Sequence, residues 1–181
     1  MSRFPLVAPT DATDPVTRRV YAEIESELGF GIVPNVFRAM GSCPPFLEAN
    51  WGMFRNIVLH GSLPRLVKEM IGVVVSTAHD SDYARLVHLH SLGLQGIADD
   101  VLEALSEGET EAPSLSPGTV AVLRFAQKAA TKPGATTDAD LASLTDAGLS
   151  SGEVFEVLAT IQLFSAVNLF TDVASVELDQ I

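Results

Sequence analysis

The sequence predicts an all-α fold, and three observations carry that reading. Apolar residues recur at three- and four-residue intervals in nearly every segment, as in Leu66, Met70, Val73, Val74 and Thr77. Most of these segments open on a cap or a proline, and several close on glycine. The run Val73-Val74-Val75, which alone would suggest a strand, sits inside a longer helical period. A chain of 181 residues is long enough for a sizeable core, and one domain over 1–181 is expected. Residues 1–29 read as an N-terminal extension helix.

The elements follow in order. Asp14-Pro15 is a cap with proline at the first helical position, and predicts a helix to about Leu28. Gly29 to Pro34 is a linker. A short helix over Asn35 to Met40 stops at Gly41. Pro44-Pro45 opens the next, which runs to about His60 before Gly61. Pro64 opens a helix carrying Glu69. Another runs from about Ser81 to Leu94 and stops at Gly96. Asp99-Asp100 place acids in the first turn of a helix to about Leu105. Glu107 to Pro117 is a loop. Thr119 to Thr131 is helical, and Pro133-Gly134 breaks the chain. Thr137-x-x-Asp140 is a capping-box variant for a helix to about Ala147, and Ser150-x-x-Glu153 caps a long apolar helix reaching toward Val173. The stretch from Gly96-Ile97 echoes that from Gly148-Leu149. The echo is either a duplicated helical hairpin or two similar helix starts.

Composition narrows the function classes. The chain is 47% hydrophobic and 19% charged, with net charge −12. Such acidity leaves no footprint for nucleic acid and no polybasic patch for anionic lipid. The apolar surplus predicts subunit association. Val154 to Phe170 is the most apolar segment. Glu156, Thr160, Gln162, Ser165 and Asn168 interrupt it, so a core or interface helix is expected and not a membrane span. The single cysteine, Cys43, excludes an intramolecular disulfide and reads as a buried small hydrophobe. No signal segment is visible at Met1 to Thr10, and a cytoplasmic location is expected.

Chemistry concentrates in Glu69 to Gly96. Two helices meet there at a polar corner, His79-Asp80-Ser81-Asp82. Ser81, Ala84 and His88 are three and four residues apart and share one helix face. The stripe Leu66, Met70, Val73 and Val74 is expected to face Tyr83, Leu86 and His90 in a central antiparallel pair. That pairing would bring Glu69, Ser81, Tyr83 and His88 to one apolar pocket.

This stretch resembles the alkylhydroperoxidase D / carboxymuconolactone decarboxylase superfamily, in its "peroxidase-related" subgroup. The redox branch has a Glu, a Cys-x-x-Cys about a dozen residues later, and a His four residues beyond. Glu69 and His88 match the Glu and His; Ser81 and Ala84 stand where the cysteines would be. Tyr83 and His88 also fit the Tyr-Glu-Trp-x-x-His of the decarboxylase branch, with Ala84 and Arg85 in place of Glu and Trp. Val33-Pro34-Asn35-Val36-Phe37 and Phe164 to Asn168 look like flanks of the same subgroup. The resemblance implies an all-α bundle around the central helix pair, no cofactor, and a dimer, trimer or hexamer.

Each candidate has a structural reading beside the functional one. His88 is a general base or a core histidine bonded to a carbonyl or to Glu69. Glu69 is a buried proton relay with raised pKa, or part of a solvated face with Lys68. Ser81 is a nucleophile activated by His88, or the N-cap its position predicts. Tyr83 donates to a developing oxyanion or simply packs. His79, His88 and His90 do not suggest a metal, because residues two apart on a helix diverge. His90 is expected to face another helix or a subunit. A thiol peroxidase needs an attacking thiolate and a resolving thiol, which Ser81 and Ala84 cannot supply. A cofactor-free acid/base enzyme acting on a small organic acid or lactone remains, beside a non-catalytic helical oligomer that binds a ligand or partner. Against the enzyme stands charge: Arg85 is the one cation near the motif in sequence.

Overall fold

The computed structural model describes residues 2–179. Among them the regular elements are helical and none is a strand. The described chain divides into two compact units, residues 2–60 with 170–179 and Gly61–Leu169.

The first unit is built on α1 (Pro15–Glu27), α2 (Asn35–Met40) and α3 (Pro44–Phe54). The Asp14 carboxylate accepts from the amides of Val16 and Thr17, as its position predicts. Val20, Tyr21 and Ile24 of α1 are buried, as are Phe37, Leu47 and Trp51. The Trp51 ring stacks on Phe54 and meets Phe37 edge-on, and its indole N–H donates to Glu23 at 2.8 Å. Beyond Phe54 the helix widens to a π-turn over Arg55–Leu59. The sequence pattern had run one plain helix to His60. Glu27 fixes the widened turn from outside, accepting from Arg55 and bonding His60.

The second unit centres on α4 (Arg65–Ala78), whose residues 68–76 are all buried. Around it lie α5 (Asp82–Leu94), α6 (Asp99–Ser106), α7 (Pro117–Thr131), α8 (Asp138–Asp146) and most of α9 (Ser151–Ala174). α4 and α5 pair extensively, as the sequence stripe predicts. The register of the pair differs from expectation, however. Leu86 is 40% exposed, while Tyr83, Ala84, His88, Ser91 and Leu92 form the buried face of α5. The helical rows from Ser81 and Ala84 through His88 win because they carry the small and polar groups that fit against α4. α9 is long and apolar enough to cross a bilayer by length and composition. It nevertheless buries Glu156, Thr160 and Asn168 beside Val157, Leu163 and Phe164, which marks a packing helix.

Three helix stops in this unit share one geometry. At Gly96, Gly108 and Gly148 the backbone is left-handed, and a 6→1 bond closes the end, such as Ile97 N–H to Leu92 C=O. Both halves of the internal echo, at Gly96 and Gly148, are such stops. The corner between α4 and α5 uses the same motif without glycine. Ser81 N–H donates to Ser76 C=O at 2.9 Å and Asp80 N–H to Thr77 C=O at 3.1 Å, with Asp80 at φ 55°. Ser81 therefore closes α4 with its amide and opens α5 as N-cap. The left-handed conformation is costly for a residue with a Cβ. Asp80→Gly is expected to stabilise the protein by about 0.5–1 kcal/mol, since the side chain is exposed. Urea denaturation reads the shift, and an unchanged or lower midpoint would count against strain at this corner.

Candidate functional site

Glu69 projects from the second turn of α4 and His88 from the middle of α5. They are 2% and 5% exposed. His88 Nδ1 lies 2.7 Å from Glu69 Oε2, and Arg65 Nε, one turn earlier on α4, donates to Glu69 Oε1 at 3.1 Å. Burial alone would push the Glu69 carboxyl up. The hydrogen bond and charge of His88, with the charge and bond of Arg65, outweigh it and hold the carboxyl below its ordinary value. This reverses the raised pKa expected of a buried Glu, because the expectation counted desolvation and not the two partners.

The direction of that shift bears on which ring nitrogen carries a proton toward Glu69. An ionised carboxylate can only accept, so Nδ1 carries the proton. In the neutral ring the lone pair then sits on Nε2. The ring of Phe164 on α9 stands edge-on to the imidazole, with centroids 4.3 Å apart.

Ser81 is buried on the face that His88 shares, at 1% exposure, and Tyr83 is buried at 6% but stands about 140° round the helix from His88. Ser81 has the extended backbone of an N-cap, but its hydroxyl makes no cap bond to the helix amides. The capping role predicted for its side chain is therefore not the one it plays. His79 closes α4 away from the pair, with Nε2 at 3.3 Å from Ala130 C=O and Nδ1 at 3.3 Å from the Asn168 side chain, which accepts from Ser76. His90 is half-buried. No cluster of three or more His, Cys, Asp or Glu able to hold a metal occurs among the described residues. Cys43 is exposed, contrary to the buried role expected, because it sits in the turn ahead of Pro44. It also belongs to the first unit, whereas Glu69 and His88 belong to the second.

Sequence reasoning missed Arg65 and placed Lys68 wrongly. Arg65 lies at i, i−4 from Glu69, a spacing that could have found it. It supplies the cation that Arg85 does not; Arg85 pairs with Asp82 on the α5 surface. Lys68 is fully buried and paired with Glu156 of α9, which also accepts from the amides of Ser62 and Leu63 at 2.8 and 3.1 Å. Lys68 and Glu69 therefore do not form a solvated face. Nothing in the sequence signals a pair whose members are this far apart.

Three solved structures share this architecture over nearly the whole chain. One is the alkylhydroperoxidase AhpD core of an uncharacterized peroxidase-related protein from Ralstonia eutropha, with TM-score 0.86 and 23% identity, covering 99% of this chain and 93% of that one. The debrominase Bmp8, as a cysteine-to-alanine variant in complex with 2,3,4-tribromopyrrole, matches with TM-score 0.82 and 23% identity over 99% and 95%. A peroxidase-related protein from Silicibacter sp. matches with TM-score 0.82 and 22% identity over 99% and 96%. The fold is that of the AhpD core. No protein-family model matches the chain, and no curated protein does. At these identities the AhpD likeness concerns architecture. Chemistry must be read from Glu69, His88 and their surroundings.

Glu69 couples the stability of the fold to pH. Its folded pKa lies below the unfolded one, so its stabilisation is present above about pH 4.5 and is lost as pH falls through the folded value. Glu69→Gln is expected to cost about 2–3 kcal/mol at neutral pH, the scale of hydrogen bonds to charged groups. The gap to wild type should narrow in acid; a gap that stays constant would mean Glu69 is not ionised in the fold. Lys68→Met is expected to cost about 3–5 kcal/mol by stranding the Glu156 charge. Adding Glu156→Gln should restore part of it, because the stranded charge is gone and the amide oxygen still accepts from one of the Ser62 and Leu63 N–H groups. Chemical denaturation of the three variants tests this.

Proposed function

We propose that this AhpD-fold chain is a non-redox, cofactor-free protein whose Glu69–His88 pair moves protons on a small organic ligand. The observation that carries the reading is the buried 2.7 Å bond between His88 Nδ1 and an ionised Glu69. It leaves Nε2 as the basic nitrogen and provides a carboxylate to stabilise the imidazolium formed on proton uptake. In the proposed step, His88 Nε2 takes a proton from carbon beside a carbonyl. The bonding pair moves into the carbonyl to give an enolate, whose oxygen Ser81 or Tyr83 would receive. The imidazolium then returns its proton. Arg65 answers the charge objection raised by the sequence. A thiol peroxidase is disfavoured because Ser81 and Ala84 replace the required thiols.

A second reading treats the pair as a buried structural contact in a ligand-binding or vestigial scaffold. The Lys68–Glu156 pair favours it, being a charge pair on the same helix with backbone donors completing its bonds. Deuterium incorporation in D2O, followed by NMR, separates the two. The panel should include small lactones, 2-oxo acids and flat heteroaromatic rings of the size that Bmp8 holds. Exchange by wild type that falls about 10²–10⁴-fold in both His88→Gln and Glu69→Gln supports acid/base chemistry. Exchange unaffected by either variant removes it. Hydroperoxide reduction with dithiols should stay at background in wild type, and Ser81→Cys with Ala84→Cys should introduce a thiol pair beside the dyad.

Self-association and a cytoplasmic setting belong to the same proposal. The free, exposed Cys43 suits a reducing compartment. On the second unit, Phe155 is 73% exposed beside an apolar groove of about 430 Å³ lined by Leu141, Ala142, Val154 and Leu158. No charged residue lines this groove, although the chain carries net charge −12. Such a surface suits a second copy better than any charged part of so acidic a chain. Phe155→Glu is expected to lower the mass seen by light scattering; a wild type already monomeric at micromolar concentration would remove the proposal.

A further inference from the structure

Gly72 stands in the interior of α4, a position where glycine costs about 1 kcal/mol against alanine. Its role is visible across the helix pair. A Cβ placed on Gly72 would meet His88 Cδ2 at 2.6 Å and Cγ and Cε1 at 2.7 Å, closer than carbon atoms approach without a shift. Three ring atoms are struck at once, so the imidazole lies against the α4 backbone itself. Phe164 stands edge-on to the same ring, and Glu69, three residues before Gly72 on α4, holds Nδ1.

We infer that Gly72 is a positioning residue for His88: with Phe164 it forms a slot that sets the plane of the imidazole and delivers Nδ1 to Glu69. This rests on the reading of Glu69 and His88 as the working pair and extends it to what seats them. With a Cβ at position 72, the ring could not lie close enough to α4 to reach a carboxylate on the same helix. The neighbouring α4 residues Val73, Val74 and Val75 carry branched side chains, so the gap at 72 is local. A ring displaced from the slot loses its bond to Glu69, and nothing then holds the proton on Nδ1.

The test uses the full chain and needs no substrate, so it stands apart from whether proton transfer is found. In wild type, ¹⁵N NMR of the His88 side chain should show a proton on Nδ1, hydrogen-bonded to Glu69. Gly72→Ala should lower the melting temperature and move the proton signal off Nδ1. In a His88→Ala background the same Gly72→Ala change should raise the melting temperature, because the obstruction is gone and alanine favours the helix. If Gly72→Ala alone does not fold, the double variant decides. A double variant melting above His88→Ala supports the slot, and one that also fails to fold overturns it. Retention of the Nδ1 proton in Gly72→Ala, or an equal loss of stability in both backgrounds, overturns it as well.

Discussion

Two adjacent buried charges on α4 set the terms for everything around them in the second unit. Lys68 reaches Glu156 of α9, and Glu69 reaches His88 of α5. A buried charge is tolerable only when its partner and remaining hydrogen bonds are in place. Each pair therefore constrains where a second helix can lie. Glu156 completes its shell with the amides of Ser62 and Leu63, which also pins the chain entering α4. Glu69 completes its shell with Arg65. Apolar burial drives these helices together, as it does in any bundle. The charges decide the register in which they meet, because sliding a helix would strand one of them.

That constraint is also what makes the site chemically legible. Desolvation alone would neutralise Glu69; its partners keep it ionised. The ionised carboxylate fixes the proton of His88 on Nδ1 and leaves the opposite nitrogen basic. Backbone geometry reinforces the arrangement from two sides. At the corner, Ser81 is held by a bond from its own amide to Ser76, with Asp80 in a left-handed conformation that glycine would adopt more easily. Along α4, the absent side chain at Gly72 lets the ring lie against the helix. Both are local costs in helix stability, and both lie where polar side chains converge.

Positions 81 and 84, on the face that His88 shares, hold Ser and Ala and no thiol. The architecture shared with the solved structures rests on helix packing and not on particular reactive atoms. A scaffold that places an acid and an imidazole in one buried cluster can serve proton transfer or ligand binding equally well. The solved structures that share the fold include proteins named as peroxidase-related and one named as a debrominase.

The sequence by itself determined the helices, their starts and stops, and the sharing of one face by Ser81, Ala84 and His88. These are local properties, set by periodicity, by caps such as Asp14 and Thr137, and by glycine stops such as Gly96 and Gly148. It also paired α4 with α5, through the apolar stripe on α4. The tertiary structure alone decided that Leu86 faces outward and that Lys68 is buried with Glu156. It decided too that the Glu69 carboxyl is stabilised as an anion and that Cys43 is exposed. The π-turn at Arg55–Leu59 and the contact of Gly72 with His88 belong with these. Each depends on which side chains from distant parts of the chain occupy the space beside a residue, and composition and spacing along one helix do not contain that information.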